Sequence, residues 1–480
     1  YDPRGNIVES AFRGTDGALV LNADGYAKRT VSYDAQGNAV ANAYYGVGDK
    51  PAVNTWGFAR QTMAYDARGN LTEIAYFGPD ERPVLDQDGV ARWTMAHDAR
   101  GHITEVVCYG VDGARVLSRY GMAKLTRSYD DRGNLVEVAY FGADDKPLLG
   151  ADGTARQTLT YDKRANPIAF EYFGADGRPV LNAHGVARQT VTYDQRGQAV
   201  EEAYFGLDGQ PVASALGYAR QTTAYDTRGN TVEVAHFGVD GKPALDQDGV
   251  ARQAIAYDPR GNMTEVACFG TDGKLVMSGY GVVRWTMAYD ARGNMVEEAY
   301  FGLQGEPVLG GQGYARQTVR WGPRGELVEK AFWGLDGRPI LSQEGFARET
   351  QAHDQESSQV RIQTFDVKGK RLDDFIQDEG AHKRALATIG ALRGRTPEHF
   401  QGAAGVVVTA IYTEGQAARL DIRIGDILVR YGKTPLQGTD GLHAAIRGTK
   451  RKAKLVFIRG DAKMSVKVKP GPLGVRTGDL

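Results

Sequence analysis

From residue 1 to residue 352 the apolar and polar positions of the chain recur with a period of 32 residues. The segment YDARGNLTEIAYFG at 65–78 returns as YDDRGNLVEVAYFG at 129–142 and as YDARGNMVEEAYFG at 289–302. In each copy β-branched and aromatic residues flank a D-x-R-G-N segment, which is the composition of a β-hairpin with glycine in a left-handed conformation. No part of this region keeps a helical apolar period. The pattern therefore predicts short strands joined by turns.

Eleven complete copies follow one another without insertion, and we number the positions of each copy so that Tyr1, Tyr33 and Tyr65 all occupy position 1. Glycine occupies positions 14 and 25 in all eleven copies, and position 28 is always basic. Position 8 is always β-branched, and position 11 is alanine in nine copies. A fixed period between about 20 and 50 residues is typical of an array of stacked units. The constant spacing indicates that each unit pairs with the next in a fixed register.

Each unit is predicted to contain three short strands and three turns. The turns are the D-x-R-G-N segment, an Asp-Gly segment with proline such as GADGRPV at 174–180, and a third segment that ends on the position-25 glycine. Position 5 is glycine in ten copies, and the exception is Ala165. Because a non-glycine residue with positive φ is disfavoured, the turn at 163–167 is expected to differ in type or to be looser.

Two all-β architectures fit these units. One is a closed solenoid in which each copy forms one coil, and the other is a continuous meander of hairpins to which each copy adds two or three strands. A propeller fits less well because each blade needs four strands. After the array, residues 353–372 keep the repeat frame in a more polar form, as expected of a capping unit. Residues 373–398 lose the glycine turns and gain helix formers, which predicts a helical linker.

The hairpin segment resembles the YD repeats of the RHS and teneurin class, and the segment YFGxDGxPV that continues it is similar to the hairpin repeats of MORN-type proteins. The YD resemblance covers about nine of the 32 residues of each copy, and the period differs from that class. The resemblance implies sheets of β-hairpins and no particular function.

Residues 399–480 are predicted to form a small α+β domain. The expected elements, in chain order, are a strand at 405–411, a short helix at 416–420, a helix near 440–447, and strands at 453–460 and 463–469. The segment IRIGDILVRYGKTPL resembles the Gly-Asp-x-Ile segment of PDZ domains at Gly425, Asp426 and Ile427. The whole domain is similar to the permuted PDZ domains of bacteria. This resemblance implies that backbone N–H groups of a loop bind the C-terminal carboxylate of a peptide, which adds a strand to the sheet.

The carboxylate-binding loop that the resemblance implies is assigned to the end of the sequence. No Gly-Leu-Gly-Phe-type segment precedes the strand GVVV, whereas the segment GPLGV follows the last long strand. The loop is therefore assigned to Leu473, Gly474 and Val475, and the alternative is that these residues form an ordinary tail. Leu442 and Ile446, one helical turn apart, are expected to face the groove or the core beneath it.

Charge and composition set few limits on function. The 58 Lys and Arg residues balance 59 Asp and Glu residues, so no nucleic-acid partner is indicated, although residues 400–480 alone hold 14 basic and 6 acidic side chains. No apolar run approaches the ~20 residues of a membrane span. Cys108 and Cys268 replace an aromatic of other copies, so buried thiols are expected rather than a disulfide or a metal pair. The chain begins at Tyr1, within a repeat, which predicts further sequence upstream.

No motif of a known catalytic site, metal site or phosphate loop occurs, so no catalytic residue, metal or cofactor is predicted. Acidic pairs such as Asp86 and Asp88 could contribute to a calcium site, which needs six to eight oxygens, but several copies lack them and a role in stabilising turns is favoured. Glutamate at position 9 and the basic residue at position 28 are expected to form ion pairs across strands. The alternative for that arginine, with the aromatics at positions 12 and 13, is a stripe that binds sugar or peptide.

Repetition of one motif builds a surface, whereas catalysis requires unlike residues to converge. The sequence therefore predicts a non-enzymatic scaffold, in which rigid β repeats carry a PDZ domain that captures the C-terminus of a protein or peptide. One alternative is the recruiting or regulatory part of a larger enzyme, such as a protease, whose catalytic domain lies upstream. Another is a repeat protein that binds carbohydrate, which would require an exposed aromatic at position 12 or 13.

Overall fold

The structure is a computed structural model that describes residues 1–13, 17–22, 24–354, 359–378, 405–413, 415–436, 438–449, 451–459 and 462–479. The chain divides into two compact units, one of residues 1–11 and 21–284 and the other of residues 12–20 and 285–480. Strand β18 (Arg284–Tyr289) spans the boundary between them.

The first unit is an antiparallel meander in which consecutive strands pair in chain order. Every complete copy contributes a strand that starts at position 28, and from the second copy onward also a strand that covers positions 7–13, which is shortened to positions 9–11 in the first copy. The described strands are β1 (Glu9–Ala11), β2 (Lys28–Tyr33), β3 (Ala39–Tyr45), β4 (Arg60–Tyr65), β5 (Leu71–Phe77), β6 (Arg92–His97), β7 (Ile103–Tyr109), β8 (Lys124–Tyr129), β9 (Leu135–Phe141), β10 (Arg156–Tyr161), β11 (Pro167–Phe173), β12 (Arg188–Tyr193), β13 (Ala199–Phe205), β14 (Arg220–Tyr225), β15 (Thr231–Phe237), β16 (Arg252–Tyr257) and β17 (Met263–Phe269). Of the two predicted architectures, the meander is the one observed.

The D-x-R-G-N segment forms the hairpin turn that the sequence predicts. In the third copy the Asp66 carboxylate accepts hydrogen bonds of 2.9 Å from the backbone N–H groups of Arg68 and Asn70 and from the Asn70 side chain. Gly69 has a φ of +84°, which favours glycine at this point of the turn. The side-chain bond from Asn70, together with the backbone bonds, lowers the pKa of the Asp66 carboxyl. The turn is thus closed by its own side chains.

Ala165 forms the same turn, so the expectation of a different or looser turn is wrong. Its φ is +66°, its N–H donates to the Asp162 carbonyl oxygen over 3.2 Å, and the Asp162 N–H donates to the Asn166 carbonyl oxygen over 3.0 Å. The Asp162 carboxylate also keeps its bonds to Asn166. These contacts hold an alanine in a backbone region that costs roughly 1–2 kcal/mol for a residue with a Cβ atom.

The third predicted strand of each copy is reduced to a single bridge. The chain turns back after the position-14 glycine, and position 19 pairs with position 13, as Pro83 does with Phe77. Proline cannot donate a hydrogen bond to a ladder, which suits a pairing of one residue. Positions 20–27 then run as irregular chain, so each copy holds two strands rather than three.

The core of the first unit lies between the sheet and these irregular segments. Tyr172 and Tyr204 at position 12 pack with Val186 and Tyr218 at position 26, and the same positions form a cluster near the start of the unit. Position 27 is alanine in ten copies and is almost wholly buried. The Ala59 N–H donates to the carbonyl oxygen of Phe77 in the next copy. The Ala59 carbonyl oxygen accepts from the N–H of Tyr44 in its own copy. Val283, the one larger residue at this position, is also buried, and its carbonyl oxygen accepts the same bond from the Cys268 N–H over 2.8 Å.

Successive hairpins, such as β2–β3 and β4–β5, are joined by backbone pairing over only three residues. Strand β3 pairs with β4 from Ala41 to Ala43, and each later junction in the unit uses the same positions. The position-1 hydroxyl adds a bond, because the Tyr65 phenol donates to the Ala39 carbonyl oxygen over 3.0 Å. A backbone bond from position 23 to position 24 of the preceding copy links the irregular segments, as from Gln87 to Trp56.

The basic residue at position 28 contacts both neighbouring strands. Arg92 Nη1 lies 3.0 Å from Glu73 Oε2 on β5, and its guanidinium carbon lies 4.0 Å from the ring centre of Tyr109 on β7. The predicted pairing of positions 9 and 28 is confirmed in this copy and recurs in others, namely Arg156–Glu137, Arg220–Glu201, Arg252–Glu233 and Arg284–Glu265. Because these groups are about one-third exposed, each pair contributes less than about 1 kcal/mol.

The second unit continues the meander and then changes its pattern. Its repeat strands are β19 (Met295–Phe301), β20 (Arg316–Trp321), β21 (Leu327–Trp333), β22 (Arg348–His353), β23 (Gln359–Phe365) and β24 (Arg371–Asp378). The hairpin of β23 and β24 covers most of the segment predicted to cap the array. The helical linker predicted for 373–398 is wrong over 373–378, because these residues extend β24 and pair with β23. Residues 379–398 lie outside the described residues.

The C-terminal segment contains the strands and helices predicted for it. These are β25 (Val406–Tyr412), α1 (Gln416–Arg419), β26 (Ile427–Tyr431), β27 (Thr434–Pro435), α2 (Thr439–Gly448), β28 (Ala453–Arg459), β29 (Ala462–Val468) and β30 (Val475–Asp479). Strand β25 pairs with β24, β26 and β30. Buried apolar side chains from both helices and from most of these strands form one core.

The turn at Ala165 generates a stability prediction. Ala165→Gly should stabilise the chain by about 0.5–1 kcal/mol, because relief of the left-handed strain exceeds the extra entropy of an unfolded glycine. Gly197→Ala, at φ +83° in the next copy, is the matched reverse change and should destabilise the chain by a similar amount. Thermal denaturation of the two variants measures both effects. A loss of stability in Ala165→Gly would contradict the assignment of this turn.

Candidate functional site

A groove of about 830 Å³ opens on the C-terminal segment of the second unit. One wall is the helix α2, and the other is formed by β30 and the loop before it. All five residues assigned from the sequence line this groove, namely Leu442, Ile446, Leu473, Gly474 and Val475. Its remaining lining residues are Asp373, Tyr412, Gly415, Gln416, Arg419, His443, Arg447, Pro472 and Thr477.

The loop at 472–474 is held by hydrogen bonds to its carbonyl groups. The Leu473 oxygen accepts from the Ala417 N–H over 2.8 Å, and the Gly474 oxygen accepts from the Tyr412 N–H over 3.0 Å. The Gln416 side chain braces the same loop, since it donates to the Pro472 oxygen over 3.1 Å. Within the described residues, the N–H groups of Leu473 and Gly474 have no acceptor. Two adjacent backbone donors are therefore available where the loop meets the groove.

Two glycines allow this loop to pack closely on α1. Gly474 has a φ of +73°, and a Cβ atom there would lie 2.7 Å from the Gly415 Cα. The converse contact, from a Cβ at Gly415 to the Gly474 Cα, would be 2.9 Å. Neither position can accept a side chain without movement of the backbone, so both glycines are required by the shape of the loop.

Apolar side chains of α2 and of the loop form the floor of the groove. Leu442 is 1% exposed and Leu473 is 2% exposed, and both belong to the core beneath the groove. Ile446, one turn along α2, is half-buried and packs against that core. At the other end of the groove Thr439 Oγ1 lies 3.2 Å from Thr477 Oγ1, which joins α2 to β30.

Strand β30 presents one unpaired edge. It pairs antiparallel with β25 from Val475 to Asp479, and among the described residues no second strand pairs with it. The open edge lies along the groove that Val475 and Thr477 of this strand line. An exposed strand edge carries N–H and C=O groups that can bind an extended chain.

Sequence reasoning missed the groove residues that come from other segments. Asp373 belongs to β24, and it reaches the groove because β24 pairs with β25 through Phe375 and Tyr412. Asp374 beside it is 5% exposed and binds two guanidinium groups, and the first of them, from Arg361, is the main cause that lowers the pKa of Asp374 to about 2. Asp373 and Asp374 open the segment for which a helical linker was predicted, but in the structure both belong to β24.

The repeats offer little of what the carbohydrate alternative requires. From the second copy onward, no described ring at position 12 or 13 is exposed. The position-13 rings are half-buried and lie beneath the position-28 cations, as Phe173 does beneath Arg156 at 3.8 Å. The position-28 arginines and position-13 aromatics of the alternative binding stripe are thus in contact with each other.

The described residues hold neither a converging set of metal ligands nor an exposed thiol. In the part of the chain that the structure describes, no group of three or more His, Cys, Asp or Glu side chains converges. Cys108 and Cys268 are free and buried, and burial raises the pKa of each thiol to about 11. No helix in the described ranges has both the length and the apolar character needed to cross a membrane.

Comparison with known proteins finds similar structures only at low similarity. No protein-family model matches the chain, and neither does any curated protein. The chain is similar to part of the Photorhabdus luminescens Tc holotoxin pore, with 12% identity over 85% of this chain and 26% of the matched chain and a TM-score of 0.15. A crystal structure of TcdB2-TccC3-TEV matches with 11% identity over 84% of this chain and 29% of the matched chain, at a TM-score of 0.14.

A third match is an HtrA-type protease with a decapeptide, at 15% identity over 55% of this chain and 83% of the matched chain, with a TM-score of 0.12. The chain spans only about a quarter of the length of the Tc chain that it matches. TM-scores this low carry no argument about this chain. The register of the strands identifies the repeats as an array of β-hairpins.

The glycine contacts of the loop generate a prediction for the groove. Gly474→Ala should lower stability by at least about 2 kcal/mol, because left-handed strain and a backbone clash act together. Gly471→Ala is the matched control: its φ is +107°, but a Cβ atom there meets nothing within 4 Å. It should cost about half as much or less. Chemical denaturation followed by circular dichroism compares the two, and equal losses would contradict the close packing of Gly474 on Gly415.

Proposed function

We propose that residues 405–479 form a permuted PDZ-type module that captures the free C-terminus of a peptide, and that the repeats act as a rigid scaffold beside it. One observation carries this proposal. An unpaired strand edge, an apolar helix face and a loop with two free backbone N–H groups line a single groove. These are the three features that recognition of a peptide end by strand addition requires.

The proposed site implies one direction for the peptide. Its terminal carboxylate binds the N–H groups of Leu473 and Gly474, in bonds roughly twice as strong as those between neutral groups. Because this loop precedes the first residue of β30, the peptide runs antiparallel to that strand, so its chain passes Thr477 and ends at the loop. Its backbone then pairs with the open edge of β30.

The last side chain of the peptide meets an apolar surface. Leu442, Leu473 and Ile446 form the floor next to the loop, so an aliphatic C-terminal residue buries more apolar area than a polar one. One added strand buries little surface in total, and the expected affinity is therefore in the micromolar range. Capture of a peptide end is common to the scaffold and to the recruiting part of a larger enzyme, so one test addresses both.

The test compares peptides on the full chain by fluorescence anisotropy. A peptide that ends in a free aliphatic residue should bind, whereas the same peptide with an amidated C-terminus should bind at least about tenfold more weakly, because it loses the charge that the loop binds. Ile446→Gln should weaken binding of the free acid. Ala444→Gln is the control, because Ala444 is exposed on the same helix and does not line the groove.

Equal binding of the amidated and free peptides would overturn the proposal. Truncation before Pro472 is unsuited to this test, because it would remove the buried Leu473 and the strand β30 that pairs with β25. Point variants leave these elements in place.

A further inference from the structure

The charged side chains that line the groove are unbalanced in favour of basic groups. Arg419, His443 and Arg447 face it, and Asp373 is the one carboxylate among the described lining residues. Asp373 already accepts a weak hydrogen bond from Thr364, at 3.4 Å. The two guanidinium groups outnumber this single carboxylate, so the lining of the groove carries a net positive charge even with a neutral His443.

The two groove arginines have no ion-pair partner among the residues that the structure describes. Within the described residues, no carboxylate lies within 4.0 Å of the guanidinium of Arg419 or Arg447. In the same segment Arg423 is paired with Asp421 and Arg459 with Asp426. The guanidinium groups of Arg419 and Arg447 are not engaged by any described carboxylate, so they can bind an anionic ligand in the groove.

The two arginines lie at different places along the peptide path. Arg419 ends α1, whose Ala417 N–H binds the Leu473 carbonyl oxygen, so it stands at the loop where the terminal carboxylate binds. Arg447 lies on α2 beside Ile446, and His443 is one turn away on the same helix. These two side chains flank the residues that precede the C-terminus of the peptide.

We infer that the groove selects peptides with an acidic side chain among the three residues before an aliphatic C-terminal residue. Arg447, with His443, contacts that acidic side chain, and Arg419 is the counter-ion of the terminal carboxylate. The inference rests on the proposed function, because it names the ligand of the same groove. It adds a specificity that neither the loop nor the apolar floor provides.

The experiment measures the affinity of the full chain for free-acid peptides that differ at one position. Peptides with Glu, Gln or Lys at each of the three positions before a C-terminal Leu are compared. At one or more of these positions Glu should bind about three- to fivefold tighter than Gln, and Lys should bind more weakly than Gln, as expected for a half-exposed ion pair. The preference should shrink as salt is raised.

Two variants separate the roles of the arginines. Arg447→Glu should reverse the preference, so that Lys peptides bind better than Glu peptides, whereas Arg419→Gln should weaken all free-acid peptides alike. Lys467→Glu is the control for charge, because Lys467 is exposed on β29 and does not line the groove. It should leave the ratio of Glu to Lys affinities unchanged. This ratio is measured within each variant and does not depend on the folded fraction.

The outcomes distinguish the two proposals. If Glu, Gln and Lys peptides bind equally, or if Arg447→Glu leaves the ratio unchanged, the inference is overturned while capture of a free C-terminus stands. If no free-acid peptide binds better than its amide, the proposed function fails and the inference fails with it.

Discussion

Three pairs of backbone residues join each hairpin of the array to the next, and the rest of the array depends on this short junction. Only positions 9–11 and 28–30 meet, so a shift of one residue would turn every side chain at the junction to the opposite face. Because the junction is short, it needs further support. This support comes from the position-1 ring, from the position-28 cation and from the backbone bond that links position 23 to position 24 of the preceding copy. All of these lie at fixed distances along the chain, which explains a period without insertion over eleven copies.

The substitutions that the repeats tolerate follow from what each contact needs. At position 1 two substitutes for tyrosine keep its hydrogen bond: the Trp321 indole donates to the Met295 carbonyl oxygen at 2.7 Å, and His353 lies at hydrogen-bond distance from the Leu327 carbonyl oxygen. Position 28 needs a carboxylate within reach. Where position 9 is Ala169, the acid stands two residues later as Glu171, and Arg188 contacts it at 3.5 Å. In these copies the residue changes, but the hydrogen bond or ion pair that it makes is retained.

Local features of the fold could be predicted from the sequence, and features that depend on distant segments could not. The hairpin turns and the pairing of positions 9 and 28 follow from residue type and spacing within one copy. The sequence also assigned Leu442, Ile446 and Leu473–Val475, which all line the groove. It could not place Asp373 or Arg419 there, because these reach the groove through strand pairing and loop packing. The turn at Ala165 was predicted wrongly from residue type, because hydrogen bonds of Asp162 and Asn166 hold this alanine in the left-handed conformation.

The fixed register is tested most directly by insertion of one residue. An alanine inserted between Gln189 and Thr190 falls in β12 where this strand pairs with β11 and with β13. The same insertion between Asp208 and Gly209 falls in an exposed turn. Thermal denaturation should show a loss of at least about 3 kcal/mol for the strand insertion and about 1 kcal/mol for the turn insertion. Equal losses would contradict the account, because they would mean that register at the junction does not determine the stability of the array.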